Sequence, residues 1–534
     1  MEPDTGGAGL EGGRGTRSGR ARDTEKGRPP APFPGGMDPE MIKDELSAVI
    51  ISDAWGFGLV ETKPHPLWQV RYAVIRNKAL LVPEYGAMYV AAFLKGQGWD
   101  LRVLNLVADV LREEYWFRER EDGLPGEALS TAPVGGEEAL ARMRKNLEDS
   151  LRDLQPRVVL FPISIYYIAR HAREMLRRVR EMLPDAWLVT GGIYATMHPQ
   201  EIMEDGAADF VVRGEGEWTV LELLEALRRG EREFWGIDGV TWRDAHGRII
   251  HNREREREKD LDRFPHIYTV AGEFRVAERH RLLKSLNPFD DYIPGAGFLT
   301  SRGCPEKCTF CLDPAVWKRR TRFHSPAYVR EVLDYCWENF TEGERSFYFG
   351  DATFALNRPR LWKLLETVRE VPYAYHIQTR ADSLTPEVLR GLKESNFRTV
   401  ALGAESFDDR VLREVVKKRT TREEILSAAR AARDHGLSPI LTFIAGLPGE
   451  TRESMERTVD ILRREGIREA TFFPLVVFRG TELYELFLRT YPEEEREAMR
   501  LNPWSEEFCF ASEEFPTMQE LIAFTEKLNQ AIRD

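Results

Sequence analysis

Cys304, Cys308 and Cys311 stand within SRGCPEKCTFC, Ser301 to Cys311, at the spacing C-x3-C-x2-C, with the aromatic Phe310 just before the last. They are three of the chain's five cysteines. A structural zinc site closes with four ligands, so three thiolates are one short. The nearest further candidates, His324 and Cys336, have no spacing that recommends them. A [4Fe–4S] cluster takes one cysteine per iron, and three cysteines then leave one iron with an open coordination position. Such a vacancy lets a substrate bind the metal, as open sites do in catalytic metalloproteins. Clustered cysteines do not read as a disulfide framework, which points to a reducing, cytoplasmic compartment.

This spacing, with Phe310 in its place, resembles the radical S-adenosylmethionine (SAM) superfamily. In that family the open iron chelates the amino and carboxylate groups of SAM, and an electron from the cluster cleaves it to a 5′-deoxyadenosyl radical. The resemblance implies that Cys304, Cys308 and Cys311 ligate the cluster. It extends to the ends of later strands, where a parallel barrel builds its active site. Asp351 in FYFGDATF takes the place of the family's contact to the SAM amino group. Arg380 in IQTRADSL and Glu405-Ser406 in ALGAESFDDRVL look like the contacts to carboxylate and ribose. FIAGLPGET, with Gly446, resembles the fifth-strand motif beside the adenine. Asp351 and Glu405 also suit plain helix N-caps.

These residues need strands to carry them. The expected strands are GFLTSR (Gly297 to Arg302), SFYFGD (from Ser346), AYHIQTR (from Ala374), TVALGAES (from Thr399), ILTFIAG (from Ile440) and ATFFPLVVF (from Ala470). Helical segments follow the first five, as where Ser325 suits an N-cap and Pro326 the first helical position. Six βα repeats predict a partial (β/α)6 barrel at 291–485, followed by a helical C-terminal region at 486–534. Residues two apart on a strand share a face, so His376, Gln378 and Arg380 point one way, as do Thr399, Ala401, Gly403 and Glu405 on the next. A polar lumen inside an apolar wall is what a ligand site needs. The basic run WKRRTRFH, Trp317 to His324, suits either steering of anionic groups or a solvated loop.

An earlier βα series predicts a doubly wound, Rossmann-like domain at 45–230, with strands at Ala48–Ser52, Asp100–Leu106, Arg157–Ser164, Ala186–Gly192 and Ala208–Gly214. A hairpin turning at Ala245-His246-Gly247 and a solvated connector, NREREREKDLDRF, fill 231–290. The order of segments in the first domain resembles the cobalamin-binding domain that precedes the radical core in one large subclass. That implies cobalamin at Gly191-Gly192, where the backbone admits a flat corrin, with Ser164 and Thr196 as hydrogen-bonding neighbours at strand ends. GEGE, Gly214 to Glu217, lacks the third glycine of a dinucleotide fingerprint and reads as a turn opening a helix whose N-terminus welcomes Glu215 and Glu217. Many cobalamin domains carry D-x-H-x-x-G with a cobalt-ligating histidine. In DAWGFG, Asp53 and Gly58 keep that spacing and Trp55 replaces the histidine. If cobalamin binds, cobalt is then expected to lack a protein ligand on its lower face.

The chain has 534 residues, 76 basic and 88 acidic, for a formal charge of −12. That balance argues against a nucleic-acid partner, and no apolar stretch approaches the ~20 residues of a membrane span. Residues 1–44, rich in Gly, Arg and Pro, are expected to be a disordered extension, with Met37 and Met41 as alternative starts. Cys336 and Cys509 stand alone and read as incidental thiols. The expected function is a radical SAM enzyme using a [4Fe–4S] cluster, SAM and cobalamin, as a C-methyltransferase on an unactivated carbon. Its expected partners are a small-molecule, natural-product or lipid substrate and a low-potential electron donor such as flavodoxin or ferredoxin. The alternative keeps the radical core for oxidation, cyclisation or rearrangement, with or without cobalamin. A non-enzymatic cobalamin or cluster sensor would have no need of the SAM-contact motifs.

Overall fold

Two main sheets, one in each half of the chain, carry the expected strands. The computed structural model describes residues 48–52, 85–105, 117–119, 125–128, 136–164, 169–274, 276, 296–339, 346–496, 499 and 514–533. The N-terminal extension, Asp53, Trp55, Gly58 and Cys509 lie outside the described residues.

The first sheet begins with β1 (Ala48–Ser52) and β2 (Leu101–Asn105). A small separate hairpin, β3 (Phe117–Glu119) and β4 (Pro125–Ala128), precedes β5 (Val158–Pro162), β6 (Trp187–Gly191) and β7 (Phe210–Val212). The order β2-β1-β5-β6-β7 is parallel throughout, and the direction of winding reverses between β1 and β5. Such a reversal opens a crevice at the carboxyl ends of the strands, where open α/β sheets bind ligands. The hairpin strands β8 (Val240–Arg243) and β9 (Ile249–His251) do not stand apart from this sheet; they extend it antiparallel from β7. The cause is Trp242, fully buried, whose indole N–H donates to Asn252 Oδ1 at 3.2 Å while its ring meets Phe234 edge-on. The connector beyond it is not simply solvated. Arg255 Nε donates to Thr219 Oγ1 at 2.7 Å, and Arg257 reaches the Val316 carbonyl.

The second sheet runs β10 (Ala296–Phe298), β13 (Ser346–Phe349), β14 (Ala374–Thr379), β15 (Phe397–Glu405), β16 (Ser438–Ala445) and β17 (Ala470–Pro474), all parallel and in chain order. The expected strand Gly297–Arg302 breaks after Phe298, because Thr300 N–H and Oγ1 turn to the Asp351 carboxylate. Its end becomes β11 (Ser301–Arg302), which pairs antiparallel with β12 (Arg322–Phe323) apart from the main sheet. Alternation holds on β15: Val400, Leu402 and Ala404 are fully buried, while Ala401, Gly403 and Glu405 face the lumen half-buried. His376 Nδ1 and Thr399 Oγ1 meet across that lumenal face at 2.8 Å. Threonine N-caps at Thr385, Thr421, Thr451 and Thr481 start the helices that follow, satisfying their first amides. Helix Met518–Arg533 covers the open edge of β17. Among the described residues no helix is long and apolar enough to cross a membrane.

Candidate active site

The loop Gly303–Cys311 is shaped by what crosses it. Gly303 has φ +93°, and a Cβ there would run into the Arg320 carbonyl oxygen and approach Trp317 at 3.0 Å, so only glycine lets the two ends of the loop close. Thr309 anchors its middle: its N–H donates to Val416 O at 3.2 Å, its hydroxyl to Val415 O at 2.7 Å, and its carbonyl accepts from Leu483 N–H at 2.9 Å. The three cysteines are half-buried between these fixtures. Burial pushes the Cys308 thiol up to about 11 and Cys311 up to about 12, and moves Cys304 the same way. Thiols so placed hold their protons until a metal displaces them. Three thiolates are one short of the four that close a structural zinc site. A cubane instead spreads its thiolates over separate irons, so the donor set fits the cluster better than zinc.

Around Cys308 gather charges from the ends of β14 and β15 and from Lys418. Arg380 pairs with Glu306 of the cysteine loop at 3.1 Å and donates from Nε to Asp382 at 2.9 Å. Glu405, at φ +64° where the β15–β16 register shifts, pairs with buried Lys418 at 2.9 Å, and Lys418 also bonds the Gly403 carbonyl. Sequence reasoning singled out Arg380 and Glu405 and missed Glu306 and Lys418. Neither carries a local signal, since Glu306 lies inside the cysteine spacing and Lys418 is one of several basic residues in KKR.

The other expected SAM contacts sit at strand ends but are occupied by protein. Asp351 accepts from Thr300 N–H at 3.1 Å, Thr300 Oγ1 at 2.9 Å and the Ser301 hydroxyl. Burial raises its pKa. Ser406 donates to Glu450 Oε1. Gly446 has φ +88°, and a Cβ there would meet Leu521 of the C-terminal helix at 2.9 Å. Phe310 is partly buried against the core.

On the first domain, Ser164, Gly191, Gly192 and Thr196 come together at the carboxyl ends of β5 and β6. Ile163 N–H donates to Gly191 O at 2.6 Å, and Gly192, at φ +97°, lies so close to that segment that a Cβ would stand 2.6 Å from Ser164 Oγ. Ile193, next in line, is 37% exposed. A bare glycine backbone beside an exposed apolar side chain suits the face of a flat macrocycle. Thr196 Oγ1 accepts from Gly214 N–H at 2.9 Å, tying this loop to the turn after β7.

The two edges adjoin. Helix Asp313–Trp317, directly after Cys311, packs on helix Ile193–Met197, directly after Gly192. Leu312 and Phe478 from the barrel pack on the core of the first domain. Arg479, just beyond β17, bonds His198 Nδ1 at 3.0 Å and pairs with Glu201. Arg322, from the basic run, is held by Glu215 at 2.8 Å rather than free to receive an anion.

A cysteine loop at the mouth of an open parallel barrel, set against the ligand edge of a doubly wound domain, defines a radical SAM protein with a cobalamin module. The family model for the radical SAM superfamily matches residues 298–462, and that for the B12 binding domain matches residues 128–224. An uncharacterized methyltransferase of Pyrococcus horikoshii is 30% identical over 329 residues, 60% of this chain and 67% of that protein. The cytidylyl-2-hydroxyethylphosphonate methyltransferase of Streptomyces wedmorensis is 25% identical over 434 residues, 76% of this chain and 77% of that one. The fold resembles that of the radical S-adenosylmethionine methyltransferase TsrM from Kitasatospora setae, with a TM-score of 0.60 at 16% identity over 84% of this chain and 76% of that one. The chain belongs to the radical SAM superfamily and carries a B12-binding domain ahead of its radical core. Its cofactors are a [4Fe–4S] cluster, SAM and cobalamin.

Proposed function

We propose that the protein is a cobalamin-dependent C-methyltransferase that adds a methyl group to an unactivated carbon of a small-molecule or lipid-like substrate. The observation that carries this reading is the packing of the helix after Cys311 on the helix after Gly192, which sets the cysteine loop beside the corrin edge. Two relatives named as methyltransferases support it. When bound, the cluster supplies the electron that cleaves SAM, and cobalamin carries the methyl group.

In this reading Cys304, Cys308 and Cys311 hold three irons and leave the fourth to SAM. Arg380 and the Glu405–Lys418 pair line the polar side of the barrel mouth and orient the SAM carboxylate and ribose. Gly191 and Gly192 admit the corrin, Ile193 supports its apolar face, and Ser164 and Thr196 bond its polar rim. The electron comes from a low-potential carrier such as flavodoxin or ferredoxin. Exposed Lys307, Arg319 and Arg320 in and beside the cysteine loop suit an acidic donor.

The test is anaerobic turnover with iron, sulfide and corrinoid restored, methyl-deuterated SAM and a low-potential reductant, across candidate small molecules. Product that gains the deuterated methyl, with 5′-deoxyadenosine and S-adenosylhomocysteine in about equal amounts, is the expected result. If 5′-deoxyadenosine forms with an unmethylated product and no S-adenosylhomocysteine, oxidation or cyclisation replaces this reading. As a control, changing all three loop cysteines to Ala should remove the iron and SAM cleavage. Cys336→Ala, whose thiol is buried beside Tyr268, should affect neither.

A further inference from the structure

Four charged side chains with little exposure join the two domains at one point. Glu215 Oε1 accepts from Arg302 Nη1 and Arg322 Nη2, each at 2.8 Å, and its Oε2 accepts from Arg322 Nη1 at 2.8 Å. Glu217 pairs with Arg302 Nη2 at 2.8 Å. Side-chain exposure is 9% for Glu215, 4% for Glu217, 6% for Arg302 and 12% for Arg322. The Arg302 guanidinium also lies over the Tyr89 ring at 4.2 Å and the Phe264 ring at 5.0 Å.

Position gives the cluster of charges its meaning. Arg302 and Arg322 are register partners in the β11–β12 ladder, whose two strands enter and leave the segment holding Cys304, Cys308 and Cys311. One carboxylate, Glu215, therefore grips both strands of that ladder. On its own side Glu215 follows Gly214, whose N–H donates to Thr196, and Thr196 N–H in turn donates to the Gly192 carbonyl at 2.9 Å. A continuous chain of short polar contacts thus runs from Gly192 to the residues flanking Cys304.

We propose that Glu215, Glu217, Arg302 and Arg322 are positioning residues that fix the distance between the corrin edge and the cluster loop. The inference rests on cobalamin binding at Gly191-Gly192 as read above. Two acids and two bases cancel in charge, and a buried network of this kind adds little net stability over an apolar cluster of the same volume. What apolar side chains lack is direction: the planar Arg322 fork grips both oxygens of Glu215, and the Arg302 guanidinium reaches from Glu215 to Glu217, so the carboxylates are held in one geometry. A small misplacement between reacting centres is costly in rate, on the order of tenfold to a hundredfold.

The experiment compares wild type with an apolar variant carrying Glu215→Met, Glu217→Leu, Arg302→Met and Arg322→Leu, and with the single variant Arg302→Lys. Pulsed dipolar electron paramagnetic resonance measures the distance distribution between the reduced cluster and bound paramagnetic cobalt, and thermal unfolding is recorded on the same samples. Wild type should give one narrow distance. The apolar variant should keep its unfolding temperature but give a broad distribution, with methyl transfer falling more than tenfold and the KM for SAM little changed. Arg302→Lys, which keeps the charge and loses the fork, should fall between them. If the apolar variant keeps a narrow distance, the network only stabilises and the inference is overturned. If the apolar variant unfolds, Arg302→Lys carries the test, and an unchanged narrow distance there overturns the inference. If wild type binds no corrinoid, the reading beneath it fails first, and this inference falls with it.

Discussion

Glu450 ends the FIAGLPGE stretch that leaves β16, its carboxyl buried, with Oε1 accepting from Ser406 and Oε2 without a hydrogen-bond partner among the described residues. Burial pushes its pKa from 4.5 up to about 8. At low pH both folded and unfolded chains carry this proton. As pH rises through the unfolded value near 4.5 the unfolded chain releases it while the folded chain keeps it, so stability falls until the folded carboxyl titrates near 8. Glu450→Gln keeps an acceptor for Ser406 and removes the titration. Urea midpoints of wild type and variant should therefore diverge across that window, the variant becoming the more stable by up to a few kcal/mol at its alkaline end. Parallel curves would mean that Glu450 ionises freely. On the first domain, the adjacent glycines Gly191 and Gly192 separate folding from cofactor approach. Gly192→Ala forces a methyl to 2.6 Å from Ser164 Oγ and 2.8 Å from the Ile163 carbonyl oxygen at φ +97°, and should cost about 2–4 kcal/mol. Gly191→Ala meets nothing closer than 3.4 Å, so it should fold normally and weaken corrinoid binding in an absorbance titration. At this scale the sequence was readable where ligands lie close in the chain, as with Cys304, Cys308 and Cys311. It was silent on Lys418 and on the partners of Glu215, because those pairings span 13, 87 and 107 residues and leave no local pattern.

The strands were legible as elements because they are apolar or alternating runs, β13, β15 and β16 closed directly by Gly350, Ser406 and Gly446, and all six strands of the barrel sheet fall where such runs stand. The break between β10 and β11 was not legible, since it depends on Thr300 turning to Asp351, 51 residues away. The hairpin's membership of the first sheet was hidden for a similar reason: Trp242 is buried by Phe234 and Asn252, not by residues of its own turn. The C-terminal helix shows what its plain amphipathic pattern could not. Asn529 donates to the Phe472 carbonyl at 2.9 Å and accepts from the Phe472 N–H at 2.7 Å, so its side-chain amide takes the place of a further strand on the open edge of β17. Asn529→Leu fits the apolar surroundings but orphans both backbone groups. It should destabilise the protein by about 1–3 kcal/mol in urea unfolding, with SAM binding preserved below the transition. A change under a few tenths of a kcal/mol would show that water replaces the amide.

At the scale of the whole molecule, a residue of the barrel holds a histidine of the other domain. His198 stands just beyond the helix that follows Gly192, and it is the histidine to weigh as an axial ligand because Trp55 replaces that of the usual motif. Yet its ring is buried and stacked on Tyr194 at 4.2 Å, with Nδ1 shared between Glu201 at 3.3 Å and Arg479 at 3.0 Å. Arg479 belongs to the segment after β17, so the barrel itself closes the pairing. The Glu201 carboxyl is pulled down to about 2 by its bonds to His198 and Arg479, against the opposing effect of burial, and stays charged through the working pH range. Turning the buried His198 ring toward cobalt would break its stacking on Tyr194 and its contacts to Glu201 and Arg479, beside the seam that Leu312 and Phe478 pack. Cobalamin should therefore bind without a protein histidine on cobalt. Electron paramagnetic resonance of the bound divalent form, on protein grown with nitrogen-15 histidine, should show no splitting from a histidine nitrogen. Arg479→Met removes the barrel's hold on the ring and should make a histidine signal appear for the first time. A histidine splitting in the wild-type protein would refute this reading.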